Sequence, residues 1–270
     1  MPADPLLSVL GLSKTYVRKR WWGEASETAA LRDVSFTIAR GRTLGLVGPS
    51  GSGKSTLARC LTLFEEPSSG EVLLSGRPHS RAERRRIQLI FQQPGASLNQ
   101  RFTAAEIVEE PLVIPSRDRQ GAYAGHPKSR VIKSRVTEAF DLVGLPHAAL
   151  TKRVDQFSGG ERQRLAIARA LVAEPALLIL DESFAGLDPS LQDQIAALLR
   201  DLQQRLGLSY LLIAHDLSLV AGLAHEIAVM EHGAIVEHGS TRELLDGARH
   251  PLTRELIAAD RILSLDGWGA

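Results

Sequence analysis

The stretch that decides the fold is Thr43-Leu44-Gly45-Leu46-Val47-Gly48-Pro49-Ser50-Gly51-Ser52-Gly53-Lys54-Ser55-Thr56-Leu57-Ala58-Arg59. Thr43 to Val47 reads as a buried strand and Lys54 to Leu63 as a helix. Between them, Gly48 to Ser55 fits G-x-x-x-x-G-K-[ST] in the strand-to-helix context that gives this pattern its meaning. The glycines allow backbone N–H groups to turn inward around a polyphosphate, and the helix N-terminus adds the positive end of its dipole. Lys54 is then the residue that reaches the β- and γ-phosphates, and Ser55 the one that ligates magnesium. A plain glycine turn ahead of a helix is the competing reading.

Working outward, the same rhythm repeats. Leu177 to Asp181 reads as a buried strand, Leu191 to Leu206 as an amphipathic helix and Tyr210 to Ala214 as another strand. Ile227 to Glu231 and Ala234 to Glu237 flank His232-Gly233, a hairpin turn. Towards the N-terminus, Leu7 to Tyr16 and Leu31 to Ile38 are expected strands, separated by the polar stretch Arg18 to Thr28. Strands that lead through turns into helices mark an α/β chain with a parallel sheet. Residues 96–156 break the rhythm, with helical patterns at Ala104 to Val113 and Val131 to Leu142, and are expected to form an inserted helical subdomain.

Composition narrows the function classes. A 270-residue chain that is 44% hydrophobic and 23% charged is expected to be soluble and globular, not a disordered tail, a collagen or a disulfide mini-scaffold. Lys plus Arg total 32 against 31 Asp plus Glu, so bulk charge gives no argument for nucleic-acid binding. The single cysteine, Cys60, excludes an internal disulfide, a multi-cysteine zinc site and a cysteine-ligated iron–sulfur cluster, and suits a reducing compartment. No export signal is expected at the N-terminus. The apolar runs fall far short of the roughly 18 residues that span a bilayer, so any membrane role is expected to be peripheral. Arg117 to Arg135 carries six basic residues against Asp118, which fits a solvated face or contact with lipid headgroups or an acidic partner.

Two further elements carry chemistry. Asp181 and Glu182 end an apolar strand, where an Asp can hold a magnesium-bound water and a Glu beside it can orient and polarise an attacking water. Phe157-Ser158-Gly159-Gly160-Glu161-Arg162-Gln163-Arg164 opens a helix that ends before Pro175; taken alone, Ser-Gly-Gly is a common loop and helix cap. In this order and spacing, over nearly the whole chain, the sequence resembles the ATP-binding cassette (ABC) ATPases, whose signature is LSGGQ.

The resemblance implies a P-loop NTPase, RecA-like core with an N-terminal antiparallel β subdomain and the inserted α-helical subdomain. Residues 1–95 with 157–245 would form the nucleotide-binding core and β subdomain, 96–156 the helical subdomain and 246–270 a C-terminal extension. It implies ATP and Mg2+ as ligands, with Gly48, Ser50, Gly51, Gly53, Lys54, Ser55 and Thr56 on the nucleotide. Ser55, Asp181 and Gln92 would serve the metal, and Glu182, His215 and Gln92 would be catalytic. Tyr16 matches the aromatic that stacks on adenine, although a strand-end tyrosine also suits a core. Ser158, Gly159 and Gly160 would complete the site of a second cassette, in a homodimer or heterodimer. Asp188 matches a loop at that dimer interface, with helix capping as its other reading.

Within the superfamily, Ser55 to Arg59, Ala96-Ser97-Leu98-Asn99 and His250-Pro251-Leu252-Thr253-Arg254 look most like the ATPase subunits of bacterial oligopeptide, dipeptide and nickel importers. That implies integral membrane permease partners, an indirect link to a solute-binding protein, no nucleic acid, and a peripheral place on the cytoplasmic face of the inner membrane. A soluble cassette ATPase acting on nucleic acid or ribosomes is the alternative. The chain departs from the pattern at Glu161 (usually Gln), Ser183 (usually Pro), Ala185-Gly186 (usually Ser-Ala) and Gln100 (usually Pro), and it lacks the C-terminal cysteine cluster of many relatives.

Overall fold

In the computed structural model, which describes residues 4–18, 26–91, 98–113, 130–182, 186–215 and 217–266, the chain starts with strands β1 (Pro5–Arg18), β2 (Ser26–Ala39) and β3 (Thr43–Val47) and helix α1 (Lys54–Leu61). There follow β4 (Ser69–Leu74), β5 (Arg77–Pro78), β6 (Ile87–Ile90), α2 (Ala104–Val113), α3 (Arg130–Leu142), α4 (Gly159–Leu171), β7 (Leu177–Asp181) and α5 (Pro189–Leu206). The chain continues through β8 (Ser209–Ala214), α6 (Leu217–Ala221), β9 (Glu226–Glu231), β10 (Ala234–Ser240), α7 (Thr241–Gly247) and α8 (Pro251–Asp266). Two compact units result: Met1–Arg84 with Leu208–Ala270, and Arg85–Gly207.

In the first unit, β3 lies between β8 and β9 and runs parallel to both, with Val47 opposite Ala214 and Val229. Every residue of β3 and of β8 is buried, which is why both read as unbroken apolar runs instead of alternating ones. The β9–β10 hairpin turns through His232 and Gly233, both left-handed (φ 46° and 85°), the backbone that a two-residue turn needs. Val47, Ala214, Val220, Ile227 and Val229 form a core that also takes in Leu244 of α7 and Ile257 of α8. A separate antiparallel sheet has the order β2-β1-β4-β5.

The expected α/β class and N-terminal antiparallel sheet are therefore present. β1 and β2 run further than the apolar pattern suggests, with Tyr16 opposite Thr28 and Val17 opposite Glu27. An antiparallel ladder is held by backbone groups, so exposed polar residues extend it without a buried face.

In the second unit, β6 and β7 pair in parallel from Ile87–Leu177 to Ile90–Leu180. Helices α2, α3 and α4 pack on one another, burying Ile107, Val108, Phe140 and Leu165. Arg169 of α4 holds the carboxylate of Glu110 on α2 through Nε at 3.0 Å and Nη2 at 2.8 Å. The helices lie where the sequence pattern puts them, within a residue at each end.

Gly45 shows how tightly α6 covers the sheet: a Cβ there would lie 2.0 Å from Val220 Cγ1 and 3.2 Å from Ala224 Cβ. We expect Gly45→Ala to destabilise the protein by about 1–3 kcal/mol through overpacking. Chemical denaturation of the two purified proteins measures it, and unchanged stability would contradict this packing.

Candidate functional site

The phosphate loop belongs to the first unit. Gly48, Gly51 and Gly53 have φ of 154°, 79° and 108°, and two of them are also pressed against neighbouring backbone. A Cβ on Gly48 would meet Met230 O at 2.1 Å, and one on Gly53 would meet Ala30 O at 2.5 Å. Any side chain at either position would push the loop off its seat. The loop is further held by the hairpin turn, where the Gly233 N–H donates to Ser52 O at 2.9 Å.

Lys54 is buried, and its Nζ donates to the carbonyls of Gly48 (2.7 Å) and Pro49 (2.9 Å). The ammonium is thus fixed within the loop, at the head of α1. That helix has no side-chain cap on its first N–H groups and no acid in its first turn. Its positive end is not neutralised from within, which suits an anion. Ser55 is exposed and Thr56 half-buried beside it. Because Val47 and Ala214 are register partners, Gly48 and His215 leave neighbouring parallel strands at the same C-terminal edge, the edge where open α/β sheets take ligands. His215 is exposed there.

Tyr16, on β1 in the same unit, is 38% exposed. Its hydroxyl donates to the Glu65 carboxylate. Partial burial, and then Glu65, raise its pKa above the ordinary tyrosine value.

The second unit carries the other set. Four buried strand residues lead to the half-buried Asp181. Glu182 follows with left-handed backbone (φ 47°), a conformation that costs a non-glycine residue about 1–3 kcal/mol. Ser158 caps α4: its Oγ accepts the Glu161 N–H at 3.3 Å while the Glu161 carboxylate accepts the Ser158 N–H at 2.8 Å. Asp188 caps α5 by accepting the Leu191 N–H at 3.0 Å, so the capping reading of this residue is present in the structure. A Cβ on Gly160 would fall 2.5 Å from Leu191 Cδ1, so the two capped helix ends meet closely. Ser158, Gly159, Gly160, Leu187 and Asp188 line one cleft of about 460 Å3.

The structure therefore gathers Tyr16, Gly48, Ser50, Gly51, Gly53, Lys54, Ser55, Thr56 and His215 in one unit, and Ser158, Gly159, Gly160, Asp181, Glu182 and Asp188 in the other. Gln92, Ala96, Ser97, Ser183 and Ala185, together with 117–129 of the basic stretch, lie outside the described residues. Sequence reasoning did not single out Glu65, whose partnership with Tyr16 joins residues 49 positions apart.

The family described as ABC transporter matches residues 31–185. The dipeptide transport ATP-binding protein DppF of Haemophilus influenzae is 40% identical over 96% of this chain and 79% of its own length. A putative peptide import ATP-binding protein of Brucella ovis is 42% identical over 96% of this chain and 80% of its own. Among solved structures, cbiO1 of Clostridium perfringens, described as part of the ABC transporter complex cbiONQ, is 27% identical with a TM-score of 0.75, covering 98% of this chain and 96% of that one. A dimeric post-hydrolysis state of the cassette MJ0796, bound to ADP and Pi, is 29% identical with a TM-score of 0.70, covering 87% of this chain and 99% of that one.

The Ser158 N–H, and then its hydroxyl, hold the Glu161 carboxyl below the ordinary glutamate range. A depressed carboxyl contributes its cap above the ordinary value and loses it as the pH falls through the lowered one. We expect carbon-detected NMR titration to show Glu161 ionising below the ordinary glutamate range. Ser158→Ala should return it only part of the way, because the backbone donor remains; an ordinary titration in the parent protein would contradict the reciprocal cap.

Proposed function

The chain belongs to the ABC transporter family, and from that premise we propose that it is the ATP-hydrolysing subunit of a bacterial importer of peptides or a related small solute. The observation that carries the ATPase reading is Lys54, held by Gly48 and Pro49 carbonyls at the acid-free head of α1. The peptide-import relatives, similar over nearly the whole chain, support the importer reading over an ATPase acting on nucleic acid or ribosomes.

ATP is the substrate. The N–H groups of the Gly48–Gly53 loop and the Lys54 ammonium bind its phosphates, and Tyr16 stacks on the adenine. The exposed Ser55 hydroxyl and the Asp181 carboxylate are hard oxygen donors of the kind magnesium prefers, and Gln92 joins them in this reading. The bound metal supplies neutralisation of charge on the phosphate oxygens. Glu182 orients the attacking water and accepts its proton, and His215 donates to the γ-phosphate.

The cleft of Ser158, Gly159, Gly160 and Asp188 would serve nucleotide bound to a second cassette, identical or related. Among the described residues no helix is long and apolar enough to cross a membrane, so attachment would run through integral permease subunits. Residues 96–156 would form the helical subdomain that meets the permeases on the cytoplasmic face, with a solute-binding protein engaged indirectly.

Three measurements test the reading. Glu182→Gln should keep ATP binding while slowing hydrolysis on the order of 10²-fold or more, and near-normal turnover would remove Glu182 from its role. Ser158→Arg, placed in the Glu182→Gln protein, should abolish the ATP-dependent association seen by light scattering; intact association would sink the shared site. Asn99 is exposed, next to buried Leu98. Burial pushes the Cys60 thiol up to about 11, so it will not compete with an engineered cysteine. We therefore expect Asn99→Cys to crosslink to a permease in membranes. Copurification with ribosomes or DNA and no such crosslink would favour the alternative.

A further inference from the structure

The end of α1 is bound to β1 by a network outside the phosphate loop. Beyond the helix the chain reverses at Leu63, which is left-handed (φ 59°), while the Phe64 and Glu65 N–H groups donate to Arg59 O at 2.9 and 3.2 Å. The next residues are fastened to β1. Ser68 N–H donates to Ser13 O at 2.7 Å, Thr15 N–H to Ser68 Oγ at 3.0 Å, and Lys14 Nζ to Glu66 O at 2.7 Å.

These bonds present the Glu65 carboxylate to Tyr16. Its Oε1 faces Arg59 Nη1 at 3.4 Å and its Oε2 accepts the Tyr16 hydroxyl, so each oxygen has a partner. The Thr56 side chain, in the first turn of α1, acts on the same hydroxyl in the opposite sense to Glu65, lowering its pKa. Lys14 Nζ stands 5.2 Å from the Tyr16 ring centroid. A half-exposed tyrosine on a strand is thereby tied to the turn that follows α1.

We infer that Glu65 is a positioning residue for the nucleobase: it orients the Tyr16 ring relative to the phosphate loop by tying its hydroxyl to the far end of α1. The inference rests on the proposed stacking of adenine on Tyr16. A ring with a free hydroxyl would sample more side-chain orientations, and binding the base would then include the entropic cost of arresting it. With the hydroxyl tied down, that ordering is complete before nucleotide arrives. Arg59 balances the charge of Glu65, which lies at the base end of the helix and away from the phosphate end.

Isothermal titration of the purified protein with MgATP and, separately, with inorganic tripolyphosphate and magnesium tests this. Glu65→Ala should weaken MgATP binding about 3- to 10-fold and leave tripolyphosphate affinity unchanged. Glu65→Gln keeps an acceptor for the hydroxyl and should stay within about two-fold of the parent. Tyr16→Phe cuts the same bond from the other side, so it should reproduce the Glu65→Ala loss; Glu65→Ala added to it should cost nothing more. That arm also decides the matter if Glu65→Ala alone does not fold. An equal loss of tripolyphosphate affinity, or a full Glu65→Ala effect persisting in Tyr16→Phe, overturns the positioning role. If Tyr16→Ala leaves the ratio of the two affinities unchanged, stacking on Tyr16 is wrong and the inference falls with it. If Tyr16→Ala lowers that ratio while Glu65 acts independently, only the inference falls.

Discussion

β3 has both of its edges paired in parallel and all five of its residues buried. Its register between β8 and β9 is the constraint on which the rest of the nucleotide end depends. With Val47 opposite Ala214 and Val229, Gly48 emerges beside His215 and against Met230 O. A slip of one residue would reverse the faces of every side chain in β3 and put Gly45, which must lie under Val220, out of place. The phosphate loop has no side-chain cap to hold it. Its shape is held from within by Lys54 on the Gly48 and Pro49 carbonyls, and from outside by strand register, by backbone that leaves no room for a Cβ and by the Gly233 N–H on Ser52.

The three helix starts named by the motifs are treated in opposite ways, and the contrast separates their chemistry. α4 and α5 neutralise their own N-termini with Ser158 and Asp188. α1 has no side-chain cap and no acid in its own first turn. A capped terminus presents its cap, here the Ser158 hydroxyl and the Asp188 carboxylate, whereas an uncapped one presents partial positive charge. Glu161 sharpens the difference, because its carboxylate occupies the Ser158 N–H and sets a full negative charge beside the hydroxyl. An anion approaching Ser158 in this protein therefore meets a carboxylate.

Much of this was legible in the sequence where chemistry and local pattern coincide. The apolar run Thr43–Val47, the glycines and Lys54 specified strand, loop and helix together, since each is decided by near neighbours. Asp188 could be read as a cap or as an interface residue, and the structure displays the cap, which is a local bond. What could not be read depends on distant partners. Nothing near Gly45 announces Val220, and nothing in the tail announces that Ile257 joins the core of Val47 and Val229. The extra length of β1 and β2 escaped for a related reason: their ends pair through backbone, which carries no side-chain signature.

Tyr16 and Lys54 are far apart in sequence and chemically unrelated, yet both are fixed to α1. Lys54 opens the helix; Tyr16 is bonded to Glu65 just past its end. An eight-residue helix is about 12 Å long and rigid on that scale. Grips set on such a rod keep their separation without adjustment when a ligand arrives. The Arg59–Glu65 pair closes the far end of the rod as the buried Lys54 closes the near end. The spacing between the Lys54 ammonium and the Tyr16 hydroxyl is then set by one short helix, and a change at either end of α1 is felt by both.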